Sequence, residues 1–374
     1  MAKRGRIKMK KVGFIGWRGM VGSVLMERML QENDFSHMES FFFSTSQSGE
    51  EAPKVLNAGD RILNANNSKD LSKMDILVSC QGGEYTSEIF PQLRQEGWNG
   101  VWIDAASTLR LNEDSVIVLD PVNREFIQNS IHKGVKNFIG GNCTVSLLLI
   151  ALHGLFKENL IEWVSSMTYQ AASGAGARNM IELLDQMKSV GRILDQHPSS
   201  SALFLEKEMT TLMKSHHFPT THFGHPLALN VLPWIDSEMP SGQSKEEWKA
   251  QVEANKILQT TFDIPIDGTC VRVGALRCHS QGLTIKLKKT IQLTLLEEII
   301  SGANPWVKVI PNTKVDTLNS LTPAFVSGTL QVPIGRLRPM TLGDTYFNAF
   351  TLGDQLLWGA AEPLRCVLKQ VIES

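Results

Sequence analysis

Four glycines at positions 13, 16, 19 and 22 recur at every third residue, from inside an apolar run, residues 12–15, to the start of a helical pattern near Val24. Strand, glycine turn and helix in that order constrain the chain more than any other feature. The backbone can turn tightly, and its N–H groups can approach a pyrophosphate at the positive end of the helix. The spacing is Gly-x-x-Gly-x-x-Gly and not the commoner Gly-x-Gly-x-x-Gly, so a plain tight βα turn stands beside the nucleotide-binding reading. Short apolar runs follow at 41–43, 76–78, 101–103 and 116–118, separated by polar or helical stretches. That alternation predicts a parallel, doubly wound sheet over roughly the first 140 residues.

A chain of 374 residues is too long for one ordinary core and predicts two domains. From Gly140 the texture changes. An apolar helix follows Cys143, a longer helix is expected over 177–194, and residues 233–243, with Pro240 and Gly242, read as a loop. Ser244-Lys245-Glu246-Glu247 has capping-box spacing ahead of a helix over 248–258. Residues 283–288 alternate apolar and polar, as strands of a half-exposed antiparallel sheet do, and 355–372 reads as one helix.

Hydrophobic residues make up 42%, charged residues 20%, and the formal net charge is −1, so neither disorder nor a nucleic-acid surface is expected. The longest aliphatic run, 147–152, is far short of the ~20 apolar residues of a membrane span. Lys3, Arg4 and Arg6 lead into a strand-like run and not a secretory core of roughly 7–15 residues, so residues 1–8 read as a basic extension with Met9 as an alternative start. Cysteines at 80, 143, 270, 278 and 366 form no Cys-x-x-Cys pair, which fits a reducing cytoplasm and predicts no metal site.

NAD-specific sites place an acidic residue near the end of the second strand for the ribose 2′-hydroxyl. Here that stretch is Phe43-Ser44-Thr45-Ser46-Gln47, which has no carboxylate and tolerates a 2′-phosphate, with Arg18 in the glycine turn able to pair with it. NADP is therefore expected over NAD, an ordinary polar turn being the plainer alternative.

Gly140-Gly141-Asn142-Cys143-Thr144 precedes a helix apolar on nearly all sides, placing Cys143 at its first turn and Asn142 at its cap. Unpaired N–H groups and the positive end of the helix dipole favour the thiolate, the reactive form of the residue. On these grounds alone an inert buried cysteine stands equally open.

Gly-Gly-Asn-Cys-Thr-Val at 140–145 resembles the nucleophile segment of the aspartate-semialdehyde dehydrogenases, and residues 13–22 are similar to their nucleotide loop. Residues 102–107, 169–174, 271–280 and 353–360 resemble further segments of the family, in order, so the likeness runs from about Lys10 to the C-terminus. It implies a Rossmann-like NADP-binding domain, 9–140, completed by a C-terminal helix, 355–374, that folds back on it. It also implies an α+β catalytic and dimerisation domain, 141–354, of the glyceraldehyde-3-phosphate-dehydrogenase-like type, and a homodimer.

The implied reaction is reduction of L-aspartyl 4-phosphate by NADPH to L-aspartate 4-semialdehyde and inorganic phosphate, through a Cys143 thioester. By the same likeness His279 is the acid/base, suited by an imidazole that titrates near neutrality. Gln170 orients the substrate and Arg272 clamps its α-carboxylate; Glu246 meets the ammonium, and Arg110 and Lys249 meet the phosphate. Thr45, Ser46, Gln81, Ser173, Gly174 and Gln355 join Arg18, Gly19, Met20 and Val21 around the cofactor. Arg272 and His279 are seven apart, so an unbroken strand would send them to opposite faces; it must bend or end between them, with Gly274 the expected place. The nearest rival is another acyl-phosphate reductase of this architecture, such as N-acetyl-glutamyl-phosphate reductase or glyceraldehyde-3-phosphate dehydrogenase. A regulatory protein that kept the fold and lost the chemistry is the non-enzymatic alternative.

Overall fold

A computed structural model describes residues 9–374, so the basic extension expected at 1–8 lies outside the described residues. The chain divides into two compact units. The first comprises the chain through Leu149, Glu253–Thr261 and Leu356–Ser374; the second comprises Ile150–Val252 and Phe262–Gln355.

The first unit is built on strands β1 Lys10–Ile15, β2 Met38–Ser44, β3 Leu63–Asn64, β4 Ile76–Ser79, β5 Val101–Asp104, β6 Ser115–Val118 and β7 Asn137–Gly140. They lie in the order β3-β2-β1-β4-β5-β7-β6, and every pairing is parallel. Strands covered on both faces read as continuous apolar runs, which is why β4 and β5 are buried at every residue. Successive side chains go to opposite faces. Phe14 and Phe42 pack with Leu25 and Met29 of the helix Met20–Gln31, while Ile15 and Phe43 pack with Trp102 and Ile139 on the other side. The strand β7 was not anticipated from the sequence, since its four residues hold only Phe138 and Ile139 as large apolar groups.

The expected return of the C-terminal helix is present, because Leu364, Val367, Leu368 and Val371 join the core around Phe14. Its continuity is not: Leu357–Ala361 forms a π-helical turn, and the α-helix proper is Glu362–Glu373. Pro363, which has no N–H to donate, sits in the first turn of that helix, where a donor is not needed.

The second unit carries β8 Ile161–Gln170, β9 Val231–Leu232, β10 Ile266–Asp267, β11 Cys270–Val273, β12 His279–Leu287, β13 Val307–Val309, β14 Val332–Met340 and β15 Gly343–Gly353. The order is β13-β14-β15-β12-β8-β11-β9, with β10 also on β8. The ladder β14-β15-β12-β8 is antiparallel, as the alternating pattern predicts, but β10 and β11 run parallel to β8, making the sheet mixed. The helix Ala177–Gln196 buries Leu183 and Val190 against Phe218 and Leu227.

Candidate active site

In the first unit β1 lies between β2 and β4, so successive connections leave it in opposite directions, and the crevice outside the strand ends at such a reversal is where nucleotides bind. Gly16 ends β1 with φ +71°, and a Cβ there would lie 2.6 Å from the backbone of Cys80 and Gln81, so only glycine fits. Gly19 N–H donates to Gly16 O at 3.0 Å and closes the turn, leaving Met20 and Val21 in the first turn of the helix Met20–Gln31. Arg18 donates from Nη2 to Ser44 Oγ at 3.0 Å and to Ser46 Oγ at 3.3 Å. Thr45, Ser46 and Arg18 are exposed, as is Gln81 just beyond β4. The Arg18 guanidinium thus sits beside two hydroxyls, with no carboxylate in 43–47.

The same unit holds the cysteine turn. Asn142 Oδ1 accepts from Thr144 N–H at 3.0 Å and Val145 N–H at 3.2 Å, the cap expected at the head of the helix Cys143–Lys157. Cys143 is half-buried at that entrance. Burial pushes the thiols of Cys80, Cys270 and Cys278 up to about 12 and raises that of Cys366, which keeps these four as unreactive thiols.

Arg110, expected at phosphate, is engaged with the turn itself. Its Nε donates to Gly140 O at 2.6 Å, Nη2 to Gly141 O at 3.0 Å, and Nη1 to Glu253 Oε1 at 3.1 Å. A guanidinium has five N–H groups, so two remain beyond these three. The other oxygen of Glu253 accepts from Asn142 N–H at 2.7 Å.

In the second unit Arg272 stands next to the end of β11 and His279 begins β12; β11 stops at Val273, one residue before Gly274, and pairing sets Arg272 against Gln170 of β8 and His279 against Gly353 of β15. Arg272 lies opposite Gln170 in the ladder and donates from Nη1 to Ala171 O at 2.9 Å. Ala171 N–H donates to His279 Nδ1 at 3.0 Å, so the neutral ring carries its proton on Nε2, an atom without a hydrogen-bond partner among the described residues. The titration expected near neutrality is absent: complete burial, with the Arg272 charge adding to it, pushes His279 down to about 3. A Cβ on Gly174 would lie 2.7 Å from Arg272 Nη1 and 2.8 Å from His279 Nε2, so the chain passes directly over both groups. Gln355 donates to Ser173 Oγ and accepts from Cys278 N–H at 2.8 Å, bridging the segment before His279 to the Ser173–Gly174 turn.

Ser244 and Glu247 form the expected reciprocal cap, 2.7 and 3.3 Å, on the helix Lys245–Leu258. One turn in, Lys249 Nζ meets Glu246 at 3.2 Å, and Gln170 Nε2 donates to Glu246 Oε1 at 3.3 Å. A second carboxylate, Asp236 in the loop 233–243, lies 2.7 Å from the same ammonium. Burial opposes the charge on Lys249, yet Glu246 and Asp236 outweigh it and raise its pKa. Sequence reasoning does not single out Asp236, Glu253 or the Ala171 N–H. The first two carry no motif, although Glu253 stands seven residues after Glu246 on one helix, and the third is a backbone group.

A parallel nucleotide-binding sheet whose chain continues into a cysteine at a helix entrance, followed by a mixed-sheet domain, defines a two-domain, nucleotide-dependent oxidoreductase. Residues 11–130 match the family model "semialdehyde dehydrogenase, NAD binding domain", and 152–358 match "semialdehyde dehydrogenase, dimerisation domain". The chain is similar to the aspartate semialdehyde dehydrogenase of Francisella tularensis, at 54% identity over 96% of this chain and 99% of that one, with a TM-score of 0.94. Aspartate semialdehyde dehydrogenase II of Vibrio cholerae shares the fold at 23% identity over 98% and 99% of the two chains, TM-score 0.78. The Candida albicans aspartate semialdehyde dehydrogenase, solved with NADP, does so at 16% identity over 98% and 99%, TM-score 0.64. The chain belongs to the semialdehyde dehydrogenase family.

Proposed function

We propose that the protein catalyses the reversible, NADPH-dependent reductive dephosphorylation of L-aspartyl 4-phosphate to L-aspartate 4-semialdehyde, in the cytoplasmic synthesis of lysine, threonine and methionine. The observation that carries this reading is Cys143: half-buried and capped at a helix entrance, in a chain 54% identical to a named aspartate semialdehyde dehydrogenase. The Cys143 thiolate attacks the acyl carbon, the bond to the phosphate oxygen breaks, and phosphate leaves with the electron pair. NADPH, when bound, supplies the hydride that reduces the thioester. Collapse of the thiohemiacetal breaks the carbon–sulfur bond, releasing the aldehyde and restoring the thiolate.

His279 acts as a neutral donor, offering Nε2–H to the oxygen that gains charge, as preorganised donors do in acyl transfer. Arg272 holds the α-carboxylate, Glu246 the ammonium, and Gln170 orients the reacting group. Lys249 and the remaining N–H groups of Arg110 hold the phosphate. Arg18, Ser46 and Thr45 take the 2′-phosphate of the cofactor, the glycine turn with Gly19, Met20 and Val21 takes its pyrophosphate, and Gln81, Ser173, Gly174 and Gln355 complete that site. A homodimer is supported by apolar groups left open in the second unit: Met167 and Tyr169 on β8 and Ile181, Leu184 and Met187 on the helix Ala177–Gln196.

The test is direct. Protein mixed with aspartate semialdehyde, NADP and phosphate should produce NADPH; silence there, with turnover of another aldehyde, overturns the substrate assignment. Cys143→Ala should abolish turnover and leave NADP binding intact, and an active variant refutes the thioester route.

A further inference from the structure

Gly140 and Gly141 have no side chains of their own to anchor the turn that delivers Cys143 to its helix, so hydrogen bonds to its peptide groups carry much of its placement. Two consecutive peptide groups, 140–141 and 141–142, are held in that way by two side chains. Arg110 donates to the carbonyls of Gly140 and Gly141, at 2.6 and 3.0 Å, and Glu253 accepts from Asn142 N–H at 2.7 Å. The two side chains are joined to each other at 3.1 Å, and their residues are only 8% and 2% exposed, so neither carries its charge to solvent. A buried carboxylate bonded on both oxygens has no freedom left, and neither has the turn it grips.

We infer that Glu253 is a positioning residue for the reaction: with Arg110 it clamps the turn before Cys143 and fixes where the sulfur enters. The inference deepens the proposed function and rests on Cys143 being the nucleophile. The ion pair with Arg110 compensates the buried charge of Glu253 while keeping an acceptor for Asn142 N–H. The clamp also gives Arg110 a task beyond phosphate, because three of its donors are committed to the turn and to Glu253.

Two full-length variants test this. Glu253→Asp keeps the charge but shortens the arm by one methylene, too little reach for both Asn142 N–H and Arg110. Its kcat should fall roughly 10- to 100-fold, the scale expected for a nucleophile misplaced by about an ångström, with KM for aspartate semialdehyde and the affinity for NADP within about twofold of the parent. Glu253→Gln keeps an oxygen for Asn142 N–H and should recover part of that loss. The clamp is refuted if both variants keep kcat within about twofold, or if KM, NADP affinity and the thermal midpoint fall together with kcat, or if neither variant folds, since these outcomes mark no role or a general scaffold role. Turnover by Cys143→Ala would instead remove the nucleophile reading on which the inference stands.

Discussion

The main-chain N–H of Ala171 donates to Nδ1 of His279 at 3.0 Å, and this one bond decides which nitrogen of the neutral imidazole carries the proton. With Nδ1 occupied as an acceptor, protonation would set N–H against N–H, and burial already holds the ring pKa at about 3. Between about pH 6.5 and about pH 3 the unfolded chain binds a proton that the folded protein does not, so stability is full above this window and falls as pH is lowered through it. His279→Asn retains an acceptor for Ala171 N–H without a titrating group. Unfolding free energies from urea titrations between pH 7 and pH 4 should fall less steeply in the variant, by up to ~1.4 kcal/mol per pH unit. Equal slopes would mean that His279 titrates normally.

Gly174 lies against both Arg272 and His279, and a methyl group there has no room: 2.7 Å to Nη1 of one and 2.8 Å to Nε2 of the other. Gly174→Ala should cut kcat/KM by about 100-fold or more through displaced substrate groups. Steady-state kinetics beside circular-dichroism melting checks it, the melting midpoint being expected to move far less than the activity.

Lys249 is shared between Asp236 at 2.7 Å and Glu246 at 3.2 Å. If Lys249 receives phosphate, as proposed, the anion competes with Asp236 and is repelled by it. Asp236→Asn removes the competing charge, so KM for inorganic phosphate in the oxidative direction should drop, by about 3- to 10-fold for a loss near 1 kcal/mol of competition. An unchanged or raised KM would show that Asp236 helps the binding of phosphate instead.

Arg18 reaches Ser44 and Ser46 across the end of β2. Arg18→Ala should weaken NADP by about tenfold or more and leave NAD nearly unchanged, since only the former carries a phosphate at this place. Ser46→Asp should lower the NADP to NAD preference in the same direction through like-charge repulsion. Initial rates with the two cofactors read the ratio.

The C-terminal helix closes the first core through Leu364, Val367 and Leu368, all fully or almost fully buried. Leu364→Ala should destabilise the folded state by roughly 2–5 kcal/mol, measurable by urea unfolding, through lost burial and the cavity left behind.

What the sequence determined by itself lies within short reach along the chain. Continuous apolar runs specify buried parallel strands, Gly16 specifies a turn no other residue can make, Asn142 caps the helix it precedes, and Ser244 and Glu247 cap theirs. The absence of a carboxylate at 43–47 is equally local. Periodicity, turn chemistry and capping are interactions between neighbours, so they survive without the fold. The tertiary structure alone decided that Glu253 grips Asn142 across 111 residues and that Asp236 meets Lys249. It alone decided that His279 is sealed beside Arg272, with its proton on Nε2. A buried ion pair and a shifted pKa depend on which distant groups exclude water from one another, and that is a property of packing in three dimensions that no spacing along the chain records.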